Sequence, residues 1–431
     1  MIPIERWDAI VLGGGPAGLA AAIASGKSGA RVAIVEREER LGGILKQCIH
    51  DGFGLVRYGE KLAGPEYARR FVDEARSLSI PRFMETFVHS ARAVDGGYRL
   101  SCVSKGRGVF ELDAASLVLA TGCRERTDRQ VFIHGDRPAG VFTAGLAQYL
   151  VNVQGFLPGS RCVILGSGDI GLIMARRLTL EGMEVEGVYE IKGEPSGLAR
   201  NVRQCLEDFS IPLHLSTTVV EVHGRRRVES VTVAKVDSKG KPIASSERDI
   251  RCDALILSVG LIPENETALE LGVPMDGATR GPKVDQNCHT LVDGVFCCGN
   301  ALHVNDLVDY VSESGEIAGK AAAAWASGAY PARDLVPVKA GSGFLTAVPQ
   351  FVDRASATET ALFFRSNSTL ESGARVTVTA CPSGGGSTPL VERSYAALRP
   401  PEMERVALDG KRLDEFCEAI ELKLEAKGVG A

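Results

Sequence analysis

Short apolar runs that end in glycine recur along this chain, and the spacing between them predicts its elements. Residues 8–12 (Asp-Ala-Ile-Val-Leu) read as a buried strand, 16–27 as a helix of small residues, and 30–36 as the next strand. That is a β-α-β unit of about 30 residues. The pattern returns with a strand at 162–165, a helix at 170–181 and a strand at 185–190. Between the two units, 116–120 is an apolar strand ending in Ala120-Thr121-Gly122. Strand-like alternation over 213–236 predicts a meander, 254–259 and 294–298 are further buried strands, and 309–327 is an Ala/Gly-rich helix. Beyond about residue 336 the texture changes. Segments 344–352, 360–364, 375–380 and 390–395 alternate as strands, and 382–389 is a Gly/Ser hairpin loop. Segment 412–427 is expected to close the chain as a helix with Leu413, Phe416, Ile420 and Leu424 on one face.

Each β-α-β unit carries a glycine-rich turn between its first strand and its helix. In the first, Gly13 permits the tight turn, Gly15 lets backbone approach a pyrophosphate, and Gly18 lets helix and strand pack closely. Phosphates would meet the open N–H groups and positive dipole end of the helix that begins Pro16-Ala17. Glu36 ends the second strand, where a carboxylate accepts hydrogen bonds from ribose hydroxyls. The second unit repeats this with Gly166, Gly168, Asp169, Ile170 and Gly171, closed by Glu190. An acid there repels a 2′-phosphate, so NAD(H) is preferred over NADP(H), although Lys192 lies close. Two such loops predict two dinucleotides and an electron transfer between them.

Bulk properties narrow the class. At 431 residues the chain is long enough for two or three domains. A net charge of −5, with acids and bases mixed, argues against nucleic acid. The basic run Arg225-Arg226-Arg227 reads as an exposed hairpin tip. No run approaches the roughly 18–20 apolar residues of a membrane helix, and no secretory signal pattern opens the sequence, so a cytoplasmic location is expected. The eleven cysteines contain no C-x-x-C and no metal-ligand spacing, so neither a disulfide framework nor a metal site is expected.

The order of motifs resembles the two-dinucleotide-binding flavoproteins, the pyridine nucleotide–disulfide oxidoreductase superfamily. It runs from the first loop through Ala120-Thr121-Gly122, the second loop and Ser258-Val259-Gly260-Leu261-Ile262-Pro263 to Asp293-Gly294-Val295-Phe296-Cys297-Cys298-Gly299-Asn300. The resemblance covers residues 1 to about 335. It implies an α/β fold with two Rossmann-like three-layer domains, the NAD domain inserted in a split FAD domain, followed here by a small β-rich, sandwich-like domain. The implied boundaries are 1–127 and 282–336 for FAD, 128–281 for NAD(H) and 337–431 for the tail. It further implies FAD contacts from Arg37, Gly43, Thr121, Gly122, Gly299, Asn300, Ser312, Glu313 and Ser314, and an NAD contact from Gly260. Asn300 stands where the family has an aspartate that binds the flavin ribityl chain.

Finer segments, 42–50, 121–126, 140–148 and 303–308, are similar to the FAD/NAD subunits of sarcosine oxidase, opine dehydrogenase and hydrogen cyanide synthase. They also resemble the FAD-dependent oxidoreductase encoded beside bacterial glycerol-3-phosphate dehydrogenases. This implies hydride transfer between NAD(H) and FAD, with electrons passed to or from a partner flavoprotein dehydrogenase subunit that oxidises glycerol 3-phosphate, an amino acid or an amine, or to another acceptor of the quinone or oxygen type. Three departures count against a disulfide reductase and an internal iron–sulfur relay. The C-x4-C pair is absent after Gly42-Gly43, no histidine lies beyond residue 303, and only Cys381 and Cys417 follow residue 336.

Cys48 and Lys46 are the candidate catalytic residues. Cys48 is either a flavin-facing thiol or a small packed residue, and Lys46 either stabilises a charged flavin or is a surface lysine. His50 and His303 are candidate proton donors or structural histidines. The alternatives to the hydride-transfer reading are a self-contained NADH oxidase or peroxidase using Cys48 and a non-catalytic, FAD-bearing assembly component. The oligomeric state, a homo-oligomer included, stays open.

Overall fold

Strand Glu5–Leu12 is central to the first sheet of the computed structural model, which describes residues 4–356, 359–383 and 385–426. It pairs in parallel with Val32–Val35 on one side and Gly108–Leu119 on the other. The last of these is long because its halves have different partners. Its first half runs antiparallel to Gly97–Ser104, and its second half is parallel to Glu5–Leu12 and to Val295–Cys297. Short strand Arg82–Phe83 and strand Thr86–Val94 complete seven strands.

Helices Pro16–Lys27 and Val308–Ala326, both close to their predicted ranges, cross on this sheet. Small residues allow the approach. A Cβ on Gly315 or Gly319 would fall 2.2 or 2.1 Å from the carbonyl oxygens of Ala17 and Ala21. Ser25 Oγ adds a hydrogen bond to the Gly319 carbonyl at 2.8 Å.

By packing, the described chain forms two units. Met1–Leu45, Asp51–Cys123 and Pro263–Ala431 make one, and Lys46–His50 with Arg124–Ile262 make the other. The second unit holds an all-parallel five-stranded sheet in the order Val141–Thr143, Ala254–Leu257, Arg161–Leu165, Glu184–Tyr189, Leu213–His214. Helix Asp169–Leu180 follows its central strand. The meander Thr217–His223, Ser230–Lys235, Arg248–Arg251 forms a separate sheet with His134–Gly135 on its edge, whereas Leu213–His214, expected to begin the meander, pairs in parallel with Glu184–Tyr189. At its first turn Arg225 and Arg226 are exposed, whereas Arg227 is half-buried and donates to the carbonyl of Asp253 at 2.9 Å.

The tail is a two-sheet β-structure. Phe351–Asp353, Leu335–Ala340, Cys417–Ala426, Ala374–Pro382 and Thr388–Tyr395 make one sheet, and Phe344–Val348, Glu359–Ser366 and Glu404–Asp409 the other. Val376, Val378, Ile420 and Leu422 from the first meet Leu362, Phe364, Val406 and Leu408 from the second in a common core. The architecture is therefore α/β with parallel Rossmann-like sheets and a β-rich C-terminal region, as the pattern implied.

Two expectations are corrected. The helix expected over 412–427 is strand Cys417–Ala426; its last residue, 427, lies outside the described residues. Ile420, Leu422 and Leu424 also satisfy a period of two, and pairing on both edges, with 335–340 and 374–382, settles the competition. Phe416, which the helical face would have buried, is 63% exposed. The single strand expected over 344–352 is two strands in different sheets, separated at Pro349, which has no N–H to give a ladder. The hairpin loop 382–389 includes residue 384, outside the described residues. Among the described residues no helix is long and apolar enough to cross a membrane.

Candidate functional site

The first glycine loop is tight for reasons internal to the chain, except at one position. Gly13 has φ of +104°, and a Cβ there would lie 2.3 Å from the Ala120 oxygen. A Cβ on Gly18 would lie 1.8 Å from the Gly13 oxygen. At Gly15, the N-cap of helix Pro16–Lys27, a Cβ would meet nothing nearer than Gly43 Cα at 3.8 Å. Neither chain packing nor its φ of −76° demands glycine there. Pro16 is the first helical residue, and Ala17 is buried in the core. No acidic residue stands in the helix's first turn.

Glu36 is buried and fixed by two backbone donors. Its Oε2 accepts the Gly14 N–H at 2.7 Å, and its Oε1 accepts the Glu38 N–H at 2.9 Å. The Gly42–Gly43 turn lies on the same loop, with the Gly42 N–H donating to the Gly14 carbonyl at 2.8 Å. Arg37 pairs with Glu264 at 3.1 Å. The backbone of Glu264 also ties down the 121–122 turn. Its carbonyl accepts from Thr121 Oγ1 at 2.6 Å, and its N–H donates to the Gly122 carbonyl at 3.0 Å.

The second unit repeats this plan. A Cβ on Gly166 would lie 2.1 Å from the Ser258 oxygen, and one on Gly171 would lie 2.6 Å from the Gly166 oxygen. At Gly168 the nearest atom would be 3.7 Å away, and its φ of −65° suits any residue. Glu190 is buried and takes the role of Glu36, accepting from the Ser167 N–H and hydroxyl through Oε2 and from the Lys192 N–H through Oε1. Asp169, in the first helical turn, is occupied by the Leu198 N–H at 2.9 Å and the Asn201 amide at 2.7 Å. Half-buried Ile170 packs on the unit's core. Gly260, with φ of +106°, accepts the Arg126 N–H through its carbonyl at 3.0 Å.

Gly299 and Asn300 follow strand Val295–Cys297, which pairs with 117–119 of the first unit. The Gly299 N–H donates to Ser314 Oγ at 3.0 Å, tying this turn to the start of helix Val308–Ala326. Asn300 Oδ1 accepts from both nitrogens of Asn305, at 3.1 Å from the backbone and 3.3 Å from the side chain. Its Nδ2 lies 3.7 Å from Cys123 Sγ. Ser312 is fully buried and bonds to Tyr67 Oη at 2.9 Å, so its hydroxyl is spent inside the fold. Glu313 pairs with Arg405 of the C-terminal β-structure at 3.3 Å.

The FAD-assigned residues thus all lie in the first unit and the NAD-assigned residues in the second, whereas Lys46 and Cys48 belong to the second. Lys46 and His50 are half-buried. Cys48 Sγ contacts Gln148 Oε1 at 3.6 Å, and burial pushes its thiol up to about 12. A neutral thiol is a poor nucleophile. His303 is buried; burial, then nearby Arg365, pushes its imidazole down to about 4. Sequence reasoning missed Tyr67, Asn305, Asp306 and Arg365. Only Asn305 and Asp306, just beyond the Gly299-Asn300 motif, had a local signal.

The pyridine nucleotide-disulphide oxidoreductase family model matches residues 7–328, leaving the C-terminal β-structure beyond it. The HcnB subunit of hydrogen cyanide synthase from Pseudomonas aeruginosa is 29% identical over 282 residues, covering 61% of this chain and 59% of that protein. An opine oxidase subunit from Agrobacterium tumefaciens is 25% identical over 342 residues, covering 74% and 65%. The matches thus span less than two thirds of either relative. Thioredoxin reductase from T. acidophilum superposes with a TM-score of 0.60 at 21% identity, over 75% of this chain and 99% of that structure, which is a likeness of fold.

Proposed function

We propose that this chain, which belongs to the pyridine nucleotide-disulphide oxidoreductase family, transfers hydride between NAD(H) and a bound FAD and exchanges electrons with a partner flavoprotein dehydrogenase subunit. Bound together, FAD and a nicotinamide supply a hydride acceptor and a donor, chemistry that needs positioning and no protein acid or base. The observation that carries the reading is the repeated pattern of the two loops. Gly13, Gly18, Gly166 and Gly171 are glycine because the chain's own backbone fills the space, whereas Gly15 and Gly168 leave room that the chain does not fill. That room, at the N-cap of each helix, fits a pyrophosphate.

In this reading Gly13, Gly15, Pro16, Ala17 and Gly18 carry the FAD pyrophosphate, and Glu36 the adenosine ribose. Thr121, Gly122, Gly299 and Asn300 hold the flavin half. Gly166, Gly168, Asp169, Ile170 and Gly171 carry the NAD pyrophosphate, with Glu190 on its ribose. The Glu190 carboxylate, pinned by the Ser167 and Lys192 N–H groups, stands at the ribose edge in this reading and favours NAD(H) over NADP(H). A partner is supported by relatives that are themselves named as subunits. Steady-state reduction of an artificial dye by NADH tests the reading. Turnover that disappears when FAD is stripped and returns when it is restored is expected; a protein that neither holds FAD nor reduces dye overturns it.

A further inference from the structure

The C-terminal β-structure grips the segment just after Asn300 at several points. Arg365, on strand Glu359–Ser366, makes a two-pronged ion pair with Asp306, with side chains 18% and 23% exposed. The same guanidinium donates to the Pro401 carbonyl at 2.5 Å and the Val304 carbonyl at 3.3 Å. Asp306 Oδ2 also accepts the Met403 N–H at 2.6 Å. Phe363 packs on His303 and Tyr310 with ring centroids 5.9 and 5.4 Å apart. Arg405 reaches Glu313 and lies over the Tyr310 ring at 4.9 Å.

Between Asp306 and Asn300 stands Asn305. Its backbone N–H can only donate, so the atom of Asn300 that faces it is the carbonyl oxygen Oδ1. Its side-chain amide donates to the same oxygen and to the His303 carbonyl at 2.9 Å. The carboxamide of Asn300 is thereby set with its acceptor turned into the 300–305 loop and its Nδ2 donor on the other side. A planar guanidinium bridging Asp306 and the Val304 carbonyl holds that loop from both flanks of Asn305, which a lysine ammonium has no geometry to do.

We propose that Arg365 is a positioning residue for the flavin site: through Asp306 and Asn305 it fixes the orientation of the Asn300 amide, so that the C-terminal β-structure sets how this chain holds the polyol of its flavin. This rests on the proposed flavin role of Asn300. It gives the C-terminal β-structure a task within the chain and predicts that Asn300 meets its ligand as a hydrogen-bond donor.

The test is FAD titration of deflavinated full-length protein, followed by flavin fluorescence and by visible circular dichroism of the bound flavin. R365A is expected to weaken FAD binding about tenfold or more, since a charge-assisted contact of this kind is worth at least that factor. It should also change the flavin dichroism. R365K should fall between R365A and the parent. N305A should weaken binding as well, and R365A/N305A should be no weaker than about the worse single variant, because both act through one amide. R399A, which breaks an exposed pair with Glu371 in the same β-structure, is expected to leave binding within about twofold. FAD affinity and dichroism unchanged in R365A, or effects of R365A and N305A that multiply, would overturn the inference. So would a loss in R399A equal to that in R365A. If R365A does not fold, R365K and N305A carry the same comparison. A parent protein that binds no FAD would instead sink the functional reading itself.

Discussion

Glu190 accepts both the backbone N–H and the hydroxyl of Ser167 through a single oxygen, at 3.0 and 2.6 Å. The strand end that would face a ribose is therefore locked to the turn that would face a pyrophosphate. In the proposed reading, nucleotide choice and phosphate binding are properties of one rigid element. Glu190→Gln keeps the volume and one of the two acceptor oxygens and removes the charge that would oppose a 2′-phosphate. The ratio of kcat/KM for NADPH to that for NADH should rise about tenfold or more. Steady-state kinetics with both nucleotides measures it, and an unchanged ratio would remove Glu190 as the discriminator.

Two glycines in one loop should behave oppositely. Gly15→Ala places a methyl 3.8 Å from its nearest neighbour, so the FAD-free protein should unfold within about 0.5 kcal/mol of the parent. FAD affinity should nonetheless fall. Gly18→Ala drives a methyl to 1.8 Å from the Gly13 oxygen, so it should destabilise the apoprotein itself by about 1–3 kcal/mol. Chemical denaturation of both apoproteins, set beside FAD titration, separates a glycine kept for a ligand from one kept for packing. Equal destabilisation by the two would mean that Gly15 is structural after all.

That distinction shows how far the sequence could be read. Strand, glycine turn, helix and terminal acid lie within about 30 residues, so both β-α-β units were legible from spacing alone. The motif assigned packing to Gly13 and Gly18 in advance; the atoms that enforce it at Gly13 and Gly166 were not legible, because they belong to Ala120 and Ser258, 107 and 92 residues away. The Arg365–Asp306 pair joins residues 59 apart, from the C-terminal β-structure to the loop after Asn300, with no local pattern to announce it. Strand Cys417–Ala426 was misread because Leu413, Phe416, Ile420 and Leu424 fit a helical period as well as Ile420, Leu422 and Leu424 fit an extended one. Only strand neighbours at 335–340 and 374–382 decide between them.

His303 gives the fold a sensitivity to acid. Its imidazole titrates at about 4 when folded because it is buried beside Arg365, against about 6.5 when unfolded. Between those values the unfolded chain binds a proton that the folded chain refuses. Stability from this group is therefore complete above pH 6.5 and falls by up to about 1.4 kcal/mol per pH unit as pH drops toward 4. Asp285 works in the opposite sense, since burial raises its carboxyl to about 6, and so the effect should be read as a difference between proteins. The stability of His303→Gln relative to the parent should improve steadily from pH 6.5 to 4.5. A constant difference over that window would contradict the buried neutral imidazole.

The Cys48 thiol, held at about 12 by burial, should stay protonated at pH 8 and react slowly with iodoacetamide. Peptide mass spectrometry after timed alkylation of the native protein should find residue 48 almost unmodified while the unfolded protein labels fully. Rapid native labelling would restore the case for a redox thiol there.

The most direct test of the central claim is an anaerobic titration of the FAD-loaded protein with NADH, followed at the flavin band near about 450 nm. The account predicts complete bleaching at about one NADH per flavin, with much higher concentrations of NADPH needed for the same change. A flavin that remains oxidised in excess NADH would contradict hydride transfer between the two dinucleotides.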